Sequence, residues 1–327
     1  RVDRFIRERL QSALYRAAHP LELEYWEAPG EPVGFAEAVA GSYAPIAAGA
    51  PWGRPWGTTW FRVRGQVPEA WRGADGELPR ATRPELVVDL GFTTGQPGFQ
   101  CEAMVWTTDG RPVRGIAPLN NAVIEAVDAD GVVDVYIEGA SNPDVGSLFT
   151  FDPTPVGDPA TAGTDPIYTL RHVDVRLRDL EVAALLADTR ALRGLVGQLD
   201  AGSPRRATIL QALERMIDAV DPHDVAGTAS AGRAVLAPVL AQPAAASAHT
   251  LHAVGHAHID SAWLWPVRET VRKVARTFSN VLSLMDEDPE VIFAASSAQQ
   301  YAWMKEYYPD LFARLRERVE EGRFVPV

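Results

Sequence analysis

The pattern of apolar and polar residues changes twice along the chain, and each part predicts a different architecture. Between residues 58 and 140, short runs rich in β-branched and aromatic residues are separated by Gly, Pro and Asp turns. Such runs predict the strands of an antiparallel β-sandwich. They cover residues 59–64, 85–90, 102–106 and 132–137. With an opening helix over residues 4–17 that Pro20 ends, they predict an N-terminal β-sandwich domain over residues 1–170.

The second part, residues 171–248, is predicted to be a helical connector. Apolar residues recur at helical intervals from Leu180 to Leu199, and Ser203-Pro204 predicts the start of a second helix, with Ser203 as its N-cap. A third helix is expected before Pro243. The preceding stretch, residues 150–166, is rich in Asp, Pro, Gly and Thr and predicts a surface loop.

The third part, residues 249–327, alternates between strand and helix patterns. A strand over residues 250–255 is followed by a helix over 267–286, a strand over 291–295, a helix broken near Pro309, and a final strand at 324–327. This order predicts parallel strands with right-handed crossovers. We therefore expect a multidomain protein in which residues 249–327 form the start of an α/β barrel-like catalytic domain.

Composition narrows the classes of partner. The 327 residues are 46% hydrophobic and carry a formal net charge of −12, which argues against binding to nucleic acid or to an anionic membrane surface. Cys101 is the only cysteine, so an intrachain disulfide is excluded. With no apolar stretch of membrane-spanning length and no signal-like start, we expect a cytoplasmic protein, for which a homo-oligomer is compatible with the sequence.

One ten-residue motif concentrates the candidate chemistry. It reads His256-Ala-His258-Ile-Asp260-Ser-Ala-Trp263-Leu-Trp265 and follows the predicted strand 250–255. Imidazole and carboxylate are ligands that Zn²⁺ accepts, and ligand sites of parallel α/β sheets lie beyond the carboxyl ends of the strands. On a continued strand the side chains of His256, His258 and Asp260 would share a face. We predict His258 and Asp260 as zinc ligands, and His256 in a buried supporting position behind them.

Three further tryptophans, Trp52, Trp56 and Trp60, cluster near the first predicted strand of the sandwich. They allow two interpretations, a carbohydrate-binding platform or aromatic packing inside the sandwich. Packing is favoured because large aromatic side chains bury much apolar surface.

The motif and its surroundings resemble the zinc-dependent, retaining α-mannosidases of glycoside hydrolase family 38. The similarity is specific over residues 250–327. Beyond the motif it is carried by Trp265-Pro266-Val-Arg268-Glu269-Thr270, Lys273, Arg276-Thr277-Phe278, Phe293-Ala-Ala-Ser296, Gln299-Gln300-Tyr301-Ala-Trp303 and Gly322-Arg323-Phe324-Val-Pro326-Val327. One departure is Ser296-Ser297, where the family pattern has Ser-Gln.

This resemblance implies a function and a cofactor. His258 and Asp260 match the first zinc-ligand pair, and Trp263 matches the aromatic residue that stacks on the mannose ring. The substrate would be a mannose-containing oligosaccharide or mannoside, whose C2 and C3 hydroxyls the zinc would bind. In the family, the nucleophile and the acid/base carboxylate follow the stretch that ends at Val327. We therefore expect no catalytic carboxylate within this chain and no activity from it alone.

Two alternatives remain open on the sequence. An amidohydrolase-like zinc hydrolase also carries His-x-His after its first barrel strand, although Asp260 and the Trp-Leu-Trp-Pro that follows fit it poorly. A metallo-β-lactamase-like site would need His where Ser261 stands. The second alternative is a non-catalytic carbohydrate-binding protein that uses the sandwich and its tryptophans.

Overall fold

The computed structural model describes residues 1–93, 95–144, 162–244 and 248–327. Most of the loop predicted at residues 150–166 lies outside these residues. The described chain forms two compact units. One contains Arg1–His19, Pro68–Pro84 and Arg176–Leu251, and the other contains Pro20–Val67, Glu85–Val175 and His252–Val327.

The strands are β1 Tyr15–Pro20, β2 Glu22–Glu27, β3 Ala44–Pro45, β4 Pro51–Trp52, β5 Thr58–Gln66, β6 Thr82–Asp89, β7 Glu102–Thr107, β8 Pro112–Ile116, β9 Ala122–Val123, β10 Val132–Ala140, β11 Tyr168–Thr169, β12 His172–Asp179, β13 Gly255–His256, β14 Phe293–Ala295 and β15 Phe324–Pro326. The α-helices are α1 Val2–Phe5, α2 Phe35–Val39, α3 Leu180–Gln198, α4 Pro204–Ala219, α5 Val225–Leu240, α6 Val267–Glu287, α7 Ala298–Tyr307 and α8 Pro309–Glu320. A π-helical turn covers Ile6–Leu10, and a 3-10 turn covers Glu69–Trp71.

The antiparallel strands predicted for the β-sandwich at residues 59–64, 102–106 and 132–137 are confirmed, because they belong to a six-stranded antiparallel sheet in the second unit. Its strands run in the order β3-β2-β5-β10-β7-β8. The central strand β10 pairs with β5, where Val135 faces Val63, and with β7, where Val135 faces Thr107. Because both neighbours are long and apolar, the centre of this sheet is buried: Trp60, Phe61, Val105 and Ile137 are inaccessible to solvent.

The three clustered tryptophans pack inside this unit. Trp52, Trp56 and Trp60 are 2%, 6% and 0% exposed. The indole of Trp52 donates a 2.7 Å hydrogen bond to the carbonyl oxygen of Leu90, and its ring packs against Phe61 and Tyr168. The packing interpretation is therefore confirmed, and these indoles present no exposed platform for a sugar.

The first unit has the three predicted helices, α3, α4 and α5, around an apolar core that includes Leu185, Leu213 and Leu236. The side chain of Asp179 caps α3 by accepting a 2.9 Å hydrogen bond from the Val182 amide. Ser203 stands at the predicted N-cap of α4, but its side chain makes no capping hydrogen bond. The helix start there is set by Pro204 at the first position.

Two predictions from the sequence, one for residues 4–17 and one for the start of the segment 171–248, are wrong. The opening helix, predicted over residues 4–17, ends with the π-helical turn at Leu10, and Tyr15 begins β1. The Leu14 carbonyl accepts a hydrogen bond from the Asp179 amide instead of continuing the helix. Strand β12 lies within the segment predicted to be helical, although its side chains alternate strictly between buried and half-exposed.

The strand and helix alternation after residue 252 is confirmed, with parallel strands in the order β13-β14-β15. The helix break predicted at Pro309 separates α7 from α8. The strand predicted over residues 250–255 is shorter than expected, because β13 contains only Gly255 and His256. Strand β14, which pairs with β13, has three residues. Leu251, which precedes β13 in the sequence, is 89% exposed.

Helix α6 packs tightly on the sandwich strand β8. The face of α6 that meets β8 carries Arg276, Asn280 and Ser283. Val274, Phe278 and Leu282 are buried on another face, where Phe278 packs against Tyr301 and Phe324. The amide of Gly115 on β8 donates a 2.8 Å hydrogen bond to the Asn280 side chain. A Cβ atom on Gly115 would lie 2.7 Å from the Cβ of Arg276, so only glycine permits this approach. In the parts of the chain that the structure describes, no helix is long and apolar enough to cross a membrane.

The contact at Gly115 generates a stability prediction. Gly115→Ala should lower the stability of the unit by about 1–3 kcal/mol, because the added methyl group overpacks the interface with α6. The control is Gly95→Ala, where a Cβ would meet no atom within 4 Å. Thermal unfolding of the complete polypeptide measures both variants. Equal melting temperatures for the two would contradict the close packing of α6 on β8.

Candidate functional site

The predicted metal ligands lie together at the carboxyl edge of the parallel strands. His258 and Asp260 follow β13, and the Nε2 atom of His258 lies 3.0 Å from the Oδ1 atom of Asp260. Their side chains are 80% and 40% exposed. Adjacent donors of a tetrahedral zinc ion with bonds of about 2.0–2.1 Å are roughly 3.3 Å apart. The two donors present, one imidazole and one carboxylate, thus fit one edge of a zinc site.

His256 does not complete this site. It lies on β13 and is exposed, so the expectation of a buried position behind the pair is wrong for this structure. Among the described residues, no group of three or more His, Cys, Asp or Glu side chains could hold a metal ion. The side chains of His256, His258 and Asp260 would share a face only if the strand continued through Asp260. Strand β13 ends at His256, so this condition is not met.

The loop that carries the motif is fixed by hydrogen bonds from two helices. The Thr270 hydroxyl, on the first turn of α6, accepts 3.1 Å hydrogen bonds from the Ala262 amide and the Trp265 indole. The side-chain amide of Gln300 on α7 donates a 3.2 Å hydrogen bond to the carbonyl oxygen of Ile259. Ala262 has a φ of +64°, a left-handed conformation that costs free energy in a non-glycine residue. The two anchors therefore hold the loop in a conformation it would not adopt freely.

Trp263, the predicted sugar-stacking residue, remains 42% exposed at the surface of this loop. Its ring packs edge-to-face against Trp265, with centroids 5.8 Å apart, and against Phe99, with centroids 5.7 Å apart. Phe99 comes from the connection between β6 and β7 of the sandwich. The motif loop and the sandwich thus meet at this group of aromatic rings.

A buried ionic cluster lies under the loop and joins α6 to the sandwich. Helix α6 contributes three cations and one carboxylate, and strands β7 and β10 contribute one carboxylate each. The members of this buried ionic cluster are Glu269, Arg272, Lys273 and Arg276 of α6, Glu102 of β7, and Glu138 of β10. Every member is less than 10% exposed in its side chain.

The contacts of the cluster are short and cross between the elements. The Nζ atom of Lys273 lies 3.0 Å from the Glu102 carboxylate, and Arg276 lies 2.7 Å from the same carboxylate. Arg272 lies 3.0 Å from Glu138, and Arg276 also contacts Glu269. Three basic side chains are matched by three acidic ones, which satisfies the requirements of burial, because an uncompensated charge in an apolar interior is costly.

The cluster shifts the pKa values of its carboxyl groups in different directions. Burial raises the pKa of Glu269, but the charges of Arg276 and Arg272 outweigh burial and bring it from 4.5 to about 2. The pKa of Glu102 is also lowered, because Lys273 and Arg276 outweigh its burial. At Glu138 burial outweighs the charges of Arg272 and Arg276, and the pKa is raised. Glu269 and Glu102 are therefore held as carboxylates.

Polar neighbours complete the cluster. Asn142 donates a 2.8 Å hydrogen bond to the Glu269 carboxylate, and Arg272 donates a 3.1 Å hydrogen bond to the Thr58 hydroxyl. Lys273 donates a 2.9 Å hydrogen bond to the carbonyl oxygen of Gly98, and its Nζ atom lies 4.5 Å above the ring of Trp265. Through Lys273 the cluster contacts both the motif loop and the sandwich.

Sequence reasoning noted some of these residues without their roles. Glu269, Lys273 and Arg276 belong to the stretch that carries the family resemblance, but the motif gives no sign of burial or of partners. Glu102 precedes Lys273 by 171 residues, and the sequence pattern of β7 predicts only a strand. The signal that the sequence did contain is a helical spacing that puts three cations and one acid on the side of α6 opposite its apolar residues.

Comparison with known proteins identifies related sequences over most of the chain. Residues 248–327 match the model of the glycosyl hydrolases family 38 N-terminal domain, and residues 19–176 match that of the α-mannosidase jelly roll domain. The chain is 31% identical over 339 residues to α-mannosidase 2C1 of Homo sapiens, covering 100% of this chain and 30% of that protein.

Two further relatives carry the same activity in their names. An α-mannosidase of Saccharomyces cerevisiae is 26% identical over 85% of this chain and 25% of its own length. α-Mannosidase G of Dictyostelium discoideum is 49% identical over 74 residues, which are 23% of this chain and 7% of that protein. The chain thus spans less than a third of the length of these relatives.

The buried ionic cluster generates a pH-dependent prediction. Glu269→Gln should destabilise the protein by about 3–5 kcal/mol at pH 7, because Arg272 and Arg276 lose a buried counter-charge. The folded-state pKa of Glu269 is lowered, so its contribution is present above pH 4.5 and is lost as the pH falls toward 2. Thermal unfolding of both proteins between pH 7 and pH 2 should therefore show a difference that shrinks with acidification.

The matched control is Glu24→Gln, which removes an exposed partner of Arg64. An exposed ion pair contributes at most about 1 kcal/mol. A constant difference between the parent and Glu269→Gln across the pH range would contradict the assignment of Glu269 as a buried carboxylate.

Proposed function

Because the chain belongs to glycosyl hydrolase family 38, we propose that the complete polypeptide that contains it is an α-mannosidase. It hydrolyses terminal α-D-mannosyl residues of oligosaccharides or other mannosides. In this proposal residues 1–170 contain the sandwich domain, residues 171–248 are a connector that begins with β12 and continues with helices, and residues 249–327 start a barrel-like catalytic domain. The cytoplasmic location predicted from the sequence belongs to this proposal.

The observation that carries the proposal is the pairing of His258 with Asp260 at the carboxyl edge of the parallel strands. These two side chains would bind a zinc ion through one nitrogen and one carboxylate oxygen. When bound, zinc would supply a template that orients adjacent hydroxyl groups of the sugar. The cis hydroxyls at C2 and C3 of mannose suit such binding.

The chain's own residues bind and orient the sugar in this proposal. Trp263 offers an exposed indole to the apolar face of the mannose ring. Thr270 and Gln300 fix the loop that carries Trp263 and Asp260, so that little conformational freedom is lost on binding. The reaction itself is retaining hydrolysis, in which two carboxyl groups about 5–5.5 Å apart act as nucleophile and as acid/base.

The alternatives have less support. A non-catalytic carbohydrate-binding protein relied on Trp52, Trp56 and Trp60, which are buried. An amidohydrolase-like zinc hydrolase would use the metal to activate water, whereas the relatives that match 100% and 85% of this chain are named α-mannosidases.

The complete polypeptide should hydrolyse aryl α-D-mannosides, release α-mannose as the first product, and lose activity when zinc is removed by a chelator. Proton NMR of the first-formed anomer and the rate after dialysis against chelator measure these properties. Re-addition of Zn²⁺ controls for irreversible damage. A first product of β-mannose would contradict retention, and an undiminished rate after zinc removal would contradict the role of the metal.

Asp260→Ala should remove zinc and activity together, because it deletes one of the two predicted ligands. His256→Ala serves as the matched control, since His256 lies outside the pair and zinc should remain bound. Metal content per chain, measured by mass spectrometry, distinguishes the variants. Equal zinc loss in both would make His256 a ligand and would overturn the proposed pair.

A further inference from the structure

We propose that the sandwich domain forms part of the sugar-binding site, with Phe99 as a positioning residue for Trp263. This inference rests on the proposed function, in which Trp263 stacks on the mannose ring. The inference adds a residue to the sugar-binding site from outside residues 248–327, which match the family 38 N-terminal domain. Phe99 lies within residues 19–176, which match the jelly roll domain.

The geometry of three rings carries the inference. Phe99 meets Trp263 at an interplanar angle of 72° and Trp265 at 61°, with centroids 5.7 and 6.3 Å apart. Trp263 meets Trp265 at 82°. These angles are edge-to-face arrangements, which aromatic pairs prefer. Trp263 is therefore held from two sides by rings nearly perpendicular to it, while 42% of it stays exposed.

The segment that carries Phe99 is itself fixed. The Gly98 carbonyl accepts a hydrogen bond from Lys273 of the buried ionic cluster. Gln100 is fully buried, and its side chain bonds to the backbone of Thr93 and of Gln96, at 2.7 and 2.9 Å. Phe99 thus stands between two anchored neighbours.

Lys273 connects the two halves of the aromatic group. Its Nζ atom bonds to Gly98 and Glu102 of the sandwich and lies over the Trp265 ring of the motif loop. One buried cation therefore fixes the position of Phe99 relative to Trp265. Because both of these rings contact Trp263, the orientation of the exposed indole depends on the sandwich.

A pre-oriented indole binds a sugar more tightly than one that samples several rotamers, since less side-chain freedom is lost on binding. Removal of the Phe99 ring should therefore weaken sugar binding. The chemistry should persist, because His258 and Asp260 stay in place.

The experiment measures KM, kcat and zinc content of the complete polypeptide with an aryl α-D-mannoside. Phe99→Ala should raise KM about two- to tenfold, the scale of one aromatic pair, with kcat changed less than about twofold and zinc retained. Phe99→Tyr keeps the ring and should restore the parent KM. Phe92→Ala removes a buried ring from the same connection and should lower the melting temperature without raising KM.

The double variant Phe99→Ala/Trp263→Ala tests whether Phe99 acts through Trp263. Its KM should equal that of Trp263→Ala alone, because the positioning effect disappears with the positioned ring. An unchanged KM in Phe99→Ala, beside a raised KM in Trp263→Ala, would overturn this inference and leave the proposed function intact. The inference would also be overturned if the two substitutions had independent effects, so that the KM of the double variant exceeded that of Trp263→Ala by the factor seen for Phe99→Ala alone. Absence of mannosidase activity in the parent would instead refute the proposed function. An unchanged KM in Trp263→Ala would refute the stacking role of Trp263, and either result would overturn this inference.

Discussion

The buried ionic cluster between α6 and the sandwich is the interaction on which the rest of the site depends. Three cations of α6 lie on one side of that helix, and the carboxylates of Glu102 and Glu138 reach them from strands β7 and β10. Such charges are stable away from water only when every partner is in place. The cluster therefore fixes the rotation and position of α6 against the sheet, and the contact at Gly115 allows the close approach.

The position of α6 determines the shape of the motif loop. Thr270 lies one residue beyond Glu269 of the cluster, and its hydroxyl holds Ala262 and Trp265. Lys273 bonds to the sandwich and lies over the ring of Trp265. A displacement of α6 would thus be transmitted to Asp260 and Trp263, although neither belongs to the cluster. This coupling gives a physical reason for the sandwich and the segment that carries the motif loop to belong to one compact unit.

Local pattern predicted much of this fold, because periodicity depends only on neighbouring residues. Strands β5, β7 and β10, the face of α6 and the break at Pro309 follow from it. The end of the opening helix did not, since Leu14 bonds to Asp179 across 165 residues. The same limit applies to the site. The residues His258 and Asp260 are close in sequence and were identified as a pair. The anchors Thr270 and Gln300 were not identified, because the motif does not specify their hydrogen bonds to the Ala262 amide, the Trp265 indole and the Ile259 carbonyl oxygen.

The most direct test of the account is X-ray diffraction from crystals of the complete polypeptide, collected above and below the zinc absorption edge. The account predicts an anomalous peak about 2.0–2.2 Å from both a ring nitrogen of His258 and a carboxylate oxygen of Asp260. The exposed indole of Trp263 should lie beside it and touch Phe99. A zinc peak that contacts neither His258 nor Asp260 would contradict the account.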